Sequence, residues 1–339
     1  MRSIAVGVFA IGLAFEAPAR ADSSVVVTLT PAGAQLADYL HLTVDQLKQN
    51  EEDKFNALFQ TANLPALLSA FASTTGIADR GLGVDYAVIG TPLMIGIVAN
   101  GAVPTDSSLS STDSRVIGGF VFNFAVMVGA NLGRWGAPRW TLYANGFYET
   151  AGYKELQGDL TTGGVHAQYR AIEGTRGRVR WTGLDVTTGL ELAKWTISTK
   201  RDSLPINFKV ANMMGDSEEL TFDSKGVMNV EADSTTIPLE ITTGLSLYDL
   251  FVIYAGGGLD LTFATATIDV NLDGDLLIRS NQENVGHATV TANGQASPGT
   301  ATAHALAGIK LEVPHANIYV QGIATPSDEG IAFGVRATF

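Results

Sequence analysis

Alternation with a period of two constrains this chain more than any other feature, and it is cleanest at the end. In Ile331-Ala332-Phe333-Gly334-Val335-Arg336-Ala337-Thr338-Phe339 the odd positions are apolar and the even ones are small or polar. A β-strand sends successive side chains to opposite faces, so this segment has one apolar and one mixed face. The same phase recurs upstream. Residues 116–132 hold Val116, Phe120, Phe122, Phe124, Val126, Val128 and Leu132 in one register. Residues 235–247 set Ile237, Leu239, Ile241, Leu245 and Leu247 against Glu240, Thr242 and Ser246. Together with 81–101, 138–151, 180–197, 204–212, 250–265, 303–313 and 316–324, these segments predict ten antiparallel strands. The count becomes twelve if Gly90-Thr91-Pro92 is a turn, or if Ser24–Thr30 joins the sheet.

Long one-sided alternation is what lipid outside and a polar lumen inside would impose, and it escapes a hydropathy scan because apolar residues are diluted by half. No run of 18 apolar residues occurs after the first few dozen positions, which argues against spanning helices. The absence of cysteine excludes a disulfide framework and thiolate metal sites. A net charge of -13 argues against a nucleic-acid partner, because a polyanion would be repelled. The last strand also resembles the C-terminal signal of bacterial outer-membrane β-barrels, with Phe339 terminal and Ala337, Val335 and Phe333 at the alternate positions before it. That resemblance implies an all-β membrane barrel in the cell outer membrane. It also implies outer-membrane lipid, lipopolysaccharide and the barrel-assembly machinery as partners.

The N-terminal part reads differently. Residues 1–21 have the pattern of an export signal: Arg2, an apolar stretch from Ile4 to Phe15, and Ala19-Arg20-Ala21 before Asp22. Residues 22–78 carry helical periodicity. Thr43 and Gln46 form a capping-box pair, Pro65 opens a further helix, and Gly76 is placed to end it. Too small for a core of their own, these helices are expected to plug the barrel or to cap it from the periplasm. Residues 79–339 form the barrel, entered from the periplasmic rim. Short turns are expected at 133–137, 200–203, 248–249 and 314–315, and long external connections at 102–115, 152–179, 213–234 and 266–302. Trp135, Trp140, Trp195, Tyr248 and Phe339 are assigned to an aromatic girdle at the turn end. Helices ahead of a barrel are similar in layout to the long-chain fatty-acid transporter family. Without an Asn-Pro-Phe motif near residue 22, no binding residue carries over.

Three constellations could carry chemistry. Asp269, Asn271, Asp273 and Asp275, with Gly274, match the first part of a calcium loop of EF-hand type, but Ser280 stands where the closing Glu belongs. The alternative there is a hairpin turning at Asp273-Gly274. By strand phase, Asp185, Glu191, Glu240, Asp260, Lys310, Glu312 and Arg336 point into the lumen. They form either a salt-bridged filling or a polar path for small solutes. Arg170, Arg176, Arg178 and Arg180 make the densest cationic patch, placed on an external loop facing lipopolysaccharide phosphates or solvent. The five histidines His41, His166, His287, His304 and His315 lie in no catalytic or metal-binding motif, with His166 and His287 expected in loops. The expectation is therefore a non-enzymatic outer-membrane barrel, without a cofactor unless calcium binds. Its role is surface interaction or envelope structure, or else passage of a small solute gated by the N-terminal helices.

Overall fold

The computed structural model describes residues 17–61, 64–80, 82–87, 92–105, 120–153, 155–211, 217–298 and 301–339. Twelve antiparallel strands and three helices occupy them. The strands are β1 (Ala17–Leu29), β2 (Leu93–Pro104), β3 (Val121–Asn131), β4 (Trp140–Tyr153), β5 (Leu156–Glu173) and β6 (Val179–Ala211). They continue with β7 (Ser217–Leu247), β8 (Phe251–Ile278), β9 (Asn284–Ser297), β10 (Ala301–Val313), β11 (Ala316–Ala324) and β12 (Asp328–Thr338). The helices α1 (Pro31–Tyr39), α2 (Val44–Thr61) and α3 (Leu64–Asp79) lie between β1 and β2.

Pairing runs β8-β10-β11-β12-β2-β3-β4-β5-β6-β7, and β7 pairs again with β8, so the ladder of ten strands returns to its start. The long β8 makes this possible. Its first half pairs with β10 from Phe251 to Leu261, and its second half pairs with β9 from Ala266 to Leu277. β7 runs beside it throughout. The upper parts of β6, β7 and β8, with β9 and β1, therefore form a sheet that projects beyond the ring at one end. Helix α2 touches both outer strands of that projection, β1 and β6.

The opposite end carries the tight turns, and their chemistry is visible in the backbone. Tyr248 and Asp249 both have positive φ (55° and 56°), as a two-residue type I′ turn demands. Pro314 precedes His315 at φ 65°, the pattern of a type II turn. Residues Leu132–Trp135 make a 3-10 turn closed by Gly136 at φ 84°. Phe339 donates its N–H to the Leu93 carbonyl at 2.9 Å, tying the end of the chain to the start of β2 at this rim.

Several expectations need correction. The segments expected as two strands join in one, β6 (Val179–Ala211), with a register shift between Arg201 and Leu204 where a turn was expected. The stretch 152–179 holds β5 rather than a long loop, and β8 and β9 occupy most of 266–302. Leu82, Val84 and Tyr86 are buried inside the ring rather than lining its outer face. Gly76 does not end α3; a Cβ there would lie 3.3 Å from Thr262 Cγ2, so it lets the helix approach the wall. The capping box holds, with Thr43 N–H donating to Gln46 Oε1 (2.8 Å) and Gln46 N–H to Thr43 Oγ1 (3.2 Å). The side chains of Phe55, Leu58 and Phe59, like residues 1–16 and most of 102–115, lie outside the described residues.

Candidate functional site

The interior of the ring is occupied by the protein's own chain. Helix α1 sits at the projecting end, against β9. Helix α3 touches β1, β2, β3, β6, β7, β8, β9 and β12, which places it inside the ring. Its descent can be followed contact by contact. Ser73 and Thr74 donate to Asp328 at 2.6 and 3.2 Å, at the start of β12. The Ile77 and Arg80 carbonyls accept from Asn100 Nδ2 at 3.1 and 3.2 Å. The Leu82 carbonyl accepts from Asn145, and the Val84 carbonyl from Arg336 Nη2 at 2.6 Å. The chain then reaches Leu93 at the turn rim. The N-terminal part thus does not start at the turn end: β1, α1 and α2 lie at the other end, α3 enters the ring, and the chain crosses it to begin β2.

Two ionic nodes hold this crossing. In the first, Arg80, fully buried, meets Glu191 of β6 at 3.0 Å, Glu240 of β7 at 2.6 Å and Asp260 of β8 at 2.8 Å. His304 of β10 sits between two of these carboxylates, its Nε2 3.1 Å from Glu240 and its Nδ1 2.8 Å from Asp260. His166 of β5 lies 3.7 Å from Glu191. In the second node Asp85 faces Lys310 and Arg336, each at 3.3 Å, and also accepts from Ala87 N–H at 3.0 Å. Lys310 further reaches Glu312 at 2.7 Å and the Ala87 carbonyl at 2.9 Å. Arg336 lies over the Tyr319 ring, 3.9 Å from its centroid. Gly334 allows this, since a Cβ there would stand 2.1 Å from that ring. Charges this deep are tolerable only when paired and hydrogen-bonded, and removing one partner leaves the others stranded.

Asp185, Glu191, Glu240, Asp260, Lys310 and Arg336 are buried on the inner face, and Glu312, with its side chain 23% exposed, meets Lys310 there. Asp185 pairs with Arg170 at 2.9 Å rather than with the crossing segment. Strand phase could not supply the partners Arg80 and Asp85, because both lie in irregular chain. His166 is a buried residue of β5 and His287 belongs to β9, so the loops expected at these two are absent, while His304 is buried on β10. Trp195 also departs from expectation: it is half-buried on the inner face, donating to Asn123 Oδ1 at 2.8 Å, far from the turn rim. Trp135, Trp140, Tyr248 and Phe339 do stand exposed at that rim.

The calcium candidate takes another form. Asp269, Asn271, Asp273 and Asp275 lie on one outward face of extended β8, so neither a loop nor a turn at Gly274 forms. Spaced two residues apart along a strand, their oxygens cannot wrap one ion as a loop does. Asp273 and Asp275 instead receive His287 of β9, at 2.9 and 3.1 Å. Bonds from both carboxylates, Asp275 first, raise the His287 pKa, and His287 with Thr289 lowers that of Asp273. The cationic patch is displaced too. Arg170 lies on β5, Arg176 and Arg178 in the β5–β6 turn and Arg180 on β6, all at the turn end.

Residues 21–339 match the model of a protein family described as Lsa36-like. No characterised protein matches the chain by sequence. Solved structures give distant resemblances to bacterial outer-membrane β-barrel and transporter proteins. The outer membrane protease OmpT from Escherichia coli is 8% identical, with 75% of this chain and 100% of that chain covered and a TM-score of 0.39. The CymD monoaromatic hydrocarbon channel is 9% identical over 80% and 97%, with a TM-score of 0.26. A FadL homologue from Pseudomonas aeruginosa is 8% identical over 80% and 98%, with a TM-score of 0.27.

Proposed function

The chain belongs to the Lsa36-like family, and for this member we propose an outer-membrane barrel of ten strands whose lumen is a small-solute passage closed at rest by its own N-terminal segment. The observation that carries the reading is the Arg80 node, where one guanidinium from the crossing segment joins carboxylates of three wall strands. A wall-only filling would need no residue from outside the wall.

Membrane insertion is supported by the outer face. Phe251, Ile253, Leu259, Leu261 and Phe263 of β8, with Ile237, Leu239 and Ile241 of β7 and Ile331 and Phe333 of β12, are exposed and apolar. From Phe251 to Phe263 a strand tilted as in membrane barrels would rise ~30 Å, the thickness of a hydrocarbon core. In this reading the rim of Trp135, Trp140 and Tyr248 faces the periplasm and the projecting sheet lies outside, which the short turns support. Export by residues 1–21, and assembly directed by Phe333, Val335, Ala337 and Phe339, complete this reading, as does an outer leaflet of lipopolysaccharide around the belt. No catalytic step is assigned to it.

A second role is favoured by the projection itself. Its core of Phe222, Leu220, Leu276, Val285 and Val290, packed with Leu36 of α1 and Leu40 just after it, is built like a water-soluble domain. This makes it the part that would meet partners at the surface.

Planar-bilayer recording tests the passage. The intact protein should show no steady conductance, and Arg80→Ala or deletion of residues 22–78 should open one. Unchanged, silent membranes with a correctly inserted deletion variant would leave only the surface role.

A further inference from the structure

The lipid-facing wall carries a groove of about 620 Å³ across β3, β4, β5 and β6. Its floor is shallow because Ala130, Ala144 and Ala167 point outward there, while Val128, Leu142, Val165 and Leu190 rise as walls. Nothing polar at the outer surface interrupts it except Thr188. At its turn-end mouth stand Trp140 and Tyr169, with ring centroids 4.9 Å apart.

The charge just beyond that mouth is the reverse of the chain as a whole. In a protein of net charge -13, Arg134, Arg139, Arg176, Arg178 and Arg180 gather on this side of the turn rim, while Arg170 faces inward. Asp185 answers Arg170, Asp249 answers Arg180 at 2.8 Å, and Glu173 lies 3.3 Å from an Arg139 that is half exposed. Arg134 stands exposed in the 3-10 turn beside the same mouth. An apolar groove capped by interfacial aromatics and then by cations has the chemistry to hold a phospholipid.

We propose that this groove holds an acyl chain of an anionic phospholipid from the leaflet at the turn end, with the lipid phosphate over Arg134 and Arg139. The inference rests on the membrane-barrel reading above and commits to phospholipid rather than lipopolysaccharide, because the mouth opens at the turn rim. A second copy docking through the same wall would have no use for the cations beyond it.

Native mass spectrometry of the full protein, purified in mild detergent and titrated with phosphatidylglycerol or phosphatidylethanolamine, is the test. One phosphatidylglycerol should be retained in preference to phosphatidylethanolamine. Arg134→Gln with Arg139→Gln should weaken phosphatidylglycerol about tenfold and leave phosphatidylethanolamine unchanged, since each surface cation adds comparable attraction. Ala144→Leu with Ala167→Leu should fill the groove and reduce both lipids. Each variant is checked for heat-modifiable migration and bilayer insertion. Equal retention by wild type and both variants means an adventitious additive only and overturns the proposal. A dimer lost on filling the groove also overturns it, in favour of self-association. Failure of the wild type to insert at all overturns the barrel reading together with the groove.

Discussion

In β7 and β8 a single strand serves two environments without changing phase. Along the ring part of β7 the outward residues are Ile237, Leu239, Ile241 and Leu245, and the inward ones Ser234, Thr236, Glu240, Thr242 and Ser246. In its projecting part the outward residues are Glu219, Asp223, Lys225, Asn229 and Asp233, and the buried ones Leu220, Phe222 and Ala232. β8 inverts in the same way, from outward Leu259, Leu261 and Phe263 to outward Asp269, Asn271 and Asp275 over buried Ile268, Val270 and Leu272. The changeover falls on one level of the ladder, where Lys194 of β6 opposes Asp233 and Asp233 opposes Thr265. Lys194 also forms ion pairs there with Glu231 and Asp233. Backbone pairing continues across this line, so what changes is the solvent each face must satisfy. The comparison teaches that strand length alone does not locate the membrane. The point where apolar and polar faces exchange does.

Breaking the interior of the ring should have the largest effect. Arg80→Met leaves Glu191, Glu240 and Asp260 facing one another without their common cation, and breaking a buried ionic cluster costs about 3–5 kcal/mol or more. The expected outcome is a lower unfolding temperature and loss of the compact electrophoretic form. Next comes one substitution placed on either side of the changeover. Leu259→Arg, near the middle of the belt, should destabilise by about 2–4 kcal/mol in a bilayer, as buried cations do at mid-membrane. Asn271→Arg, on the same face of the same strand, should stay within about 0.5 kcal/mol. Equal effects in urea titrations from liposomes would erase the distinction.

Two smaller predictions concern only the projecting half. Glu51 of α2 is buried, and burial first, then Glu52, lifts its carboxyl pKa to about 8. A raised folded value means that stability is fully present below the unfolded pKa and is lost as pH rises toward 8. Glu51→Gln should therefore stabilise this half at pH 8 by up to about 3 kcal/mol and change little at pH 4. Hydrogen exchange of α2 against pH reads this. His287 is weaker because it is half exposed. Its raised pKa gives a stabilisation present below the usual imidazole value and lost as pH rises through the folded one. His287→Gln should cost at most about 0.5 kcal/mol at pH 5.5 and nothing at pH 9. A pH-independent difference would remove the carboxylates from the account.

Much of this was legible in the sequence wherever one face met lipid. Strands β2, β3, β4, β10, β11 and β12 announce themselves by alternation, and the turns at Tyr248 and Pro314 fall where expected. The projecting half was harder to read. Asp269 to Asp275 alternate as regularly as Ile237 to Leu245 do, but with polar residues outward, so they resembled a ligand loop or a hairpin. β5 was missed because Thr161 and Gly163 interrupt its apolar face. Strand phase put seven charged wall residues on one face but named no partner for them. Arg80 and Asp85 follow no periodicity, and only the path of the chain through the ring brings them to those charges.

The absence of cysteine makes the central claim directly measurable. Single cysteines introduced at outward positions of β8, from Ile253 through Leu261 and Phe263 to Thr267, Asn271 and Asp275, can carry nitroxide labels in liposome-reconstituted protein. Relaxation by oxygen and by a water-soluble nickel complex then reports lipid or water at each site. The account predicts oxygen-dominated relaxation through Phe263 and nickel-dominated relaxation from Thr267 onward, with the switch between them. Nickel access at Ile253 and Leu261, or the same environment along the whole strand, would contradict it.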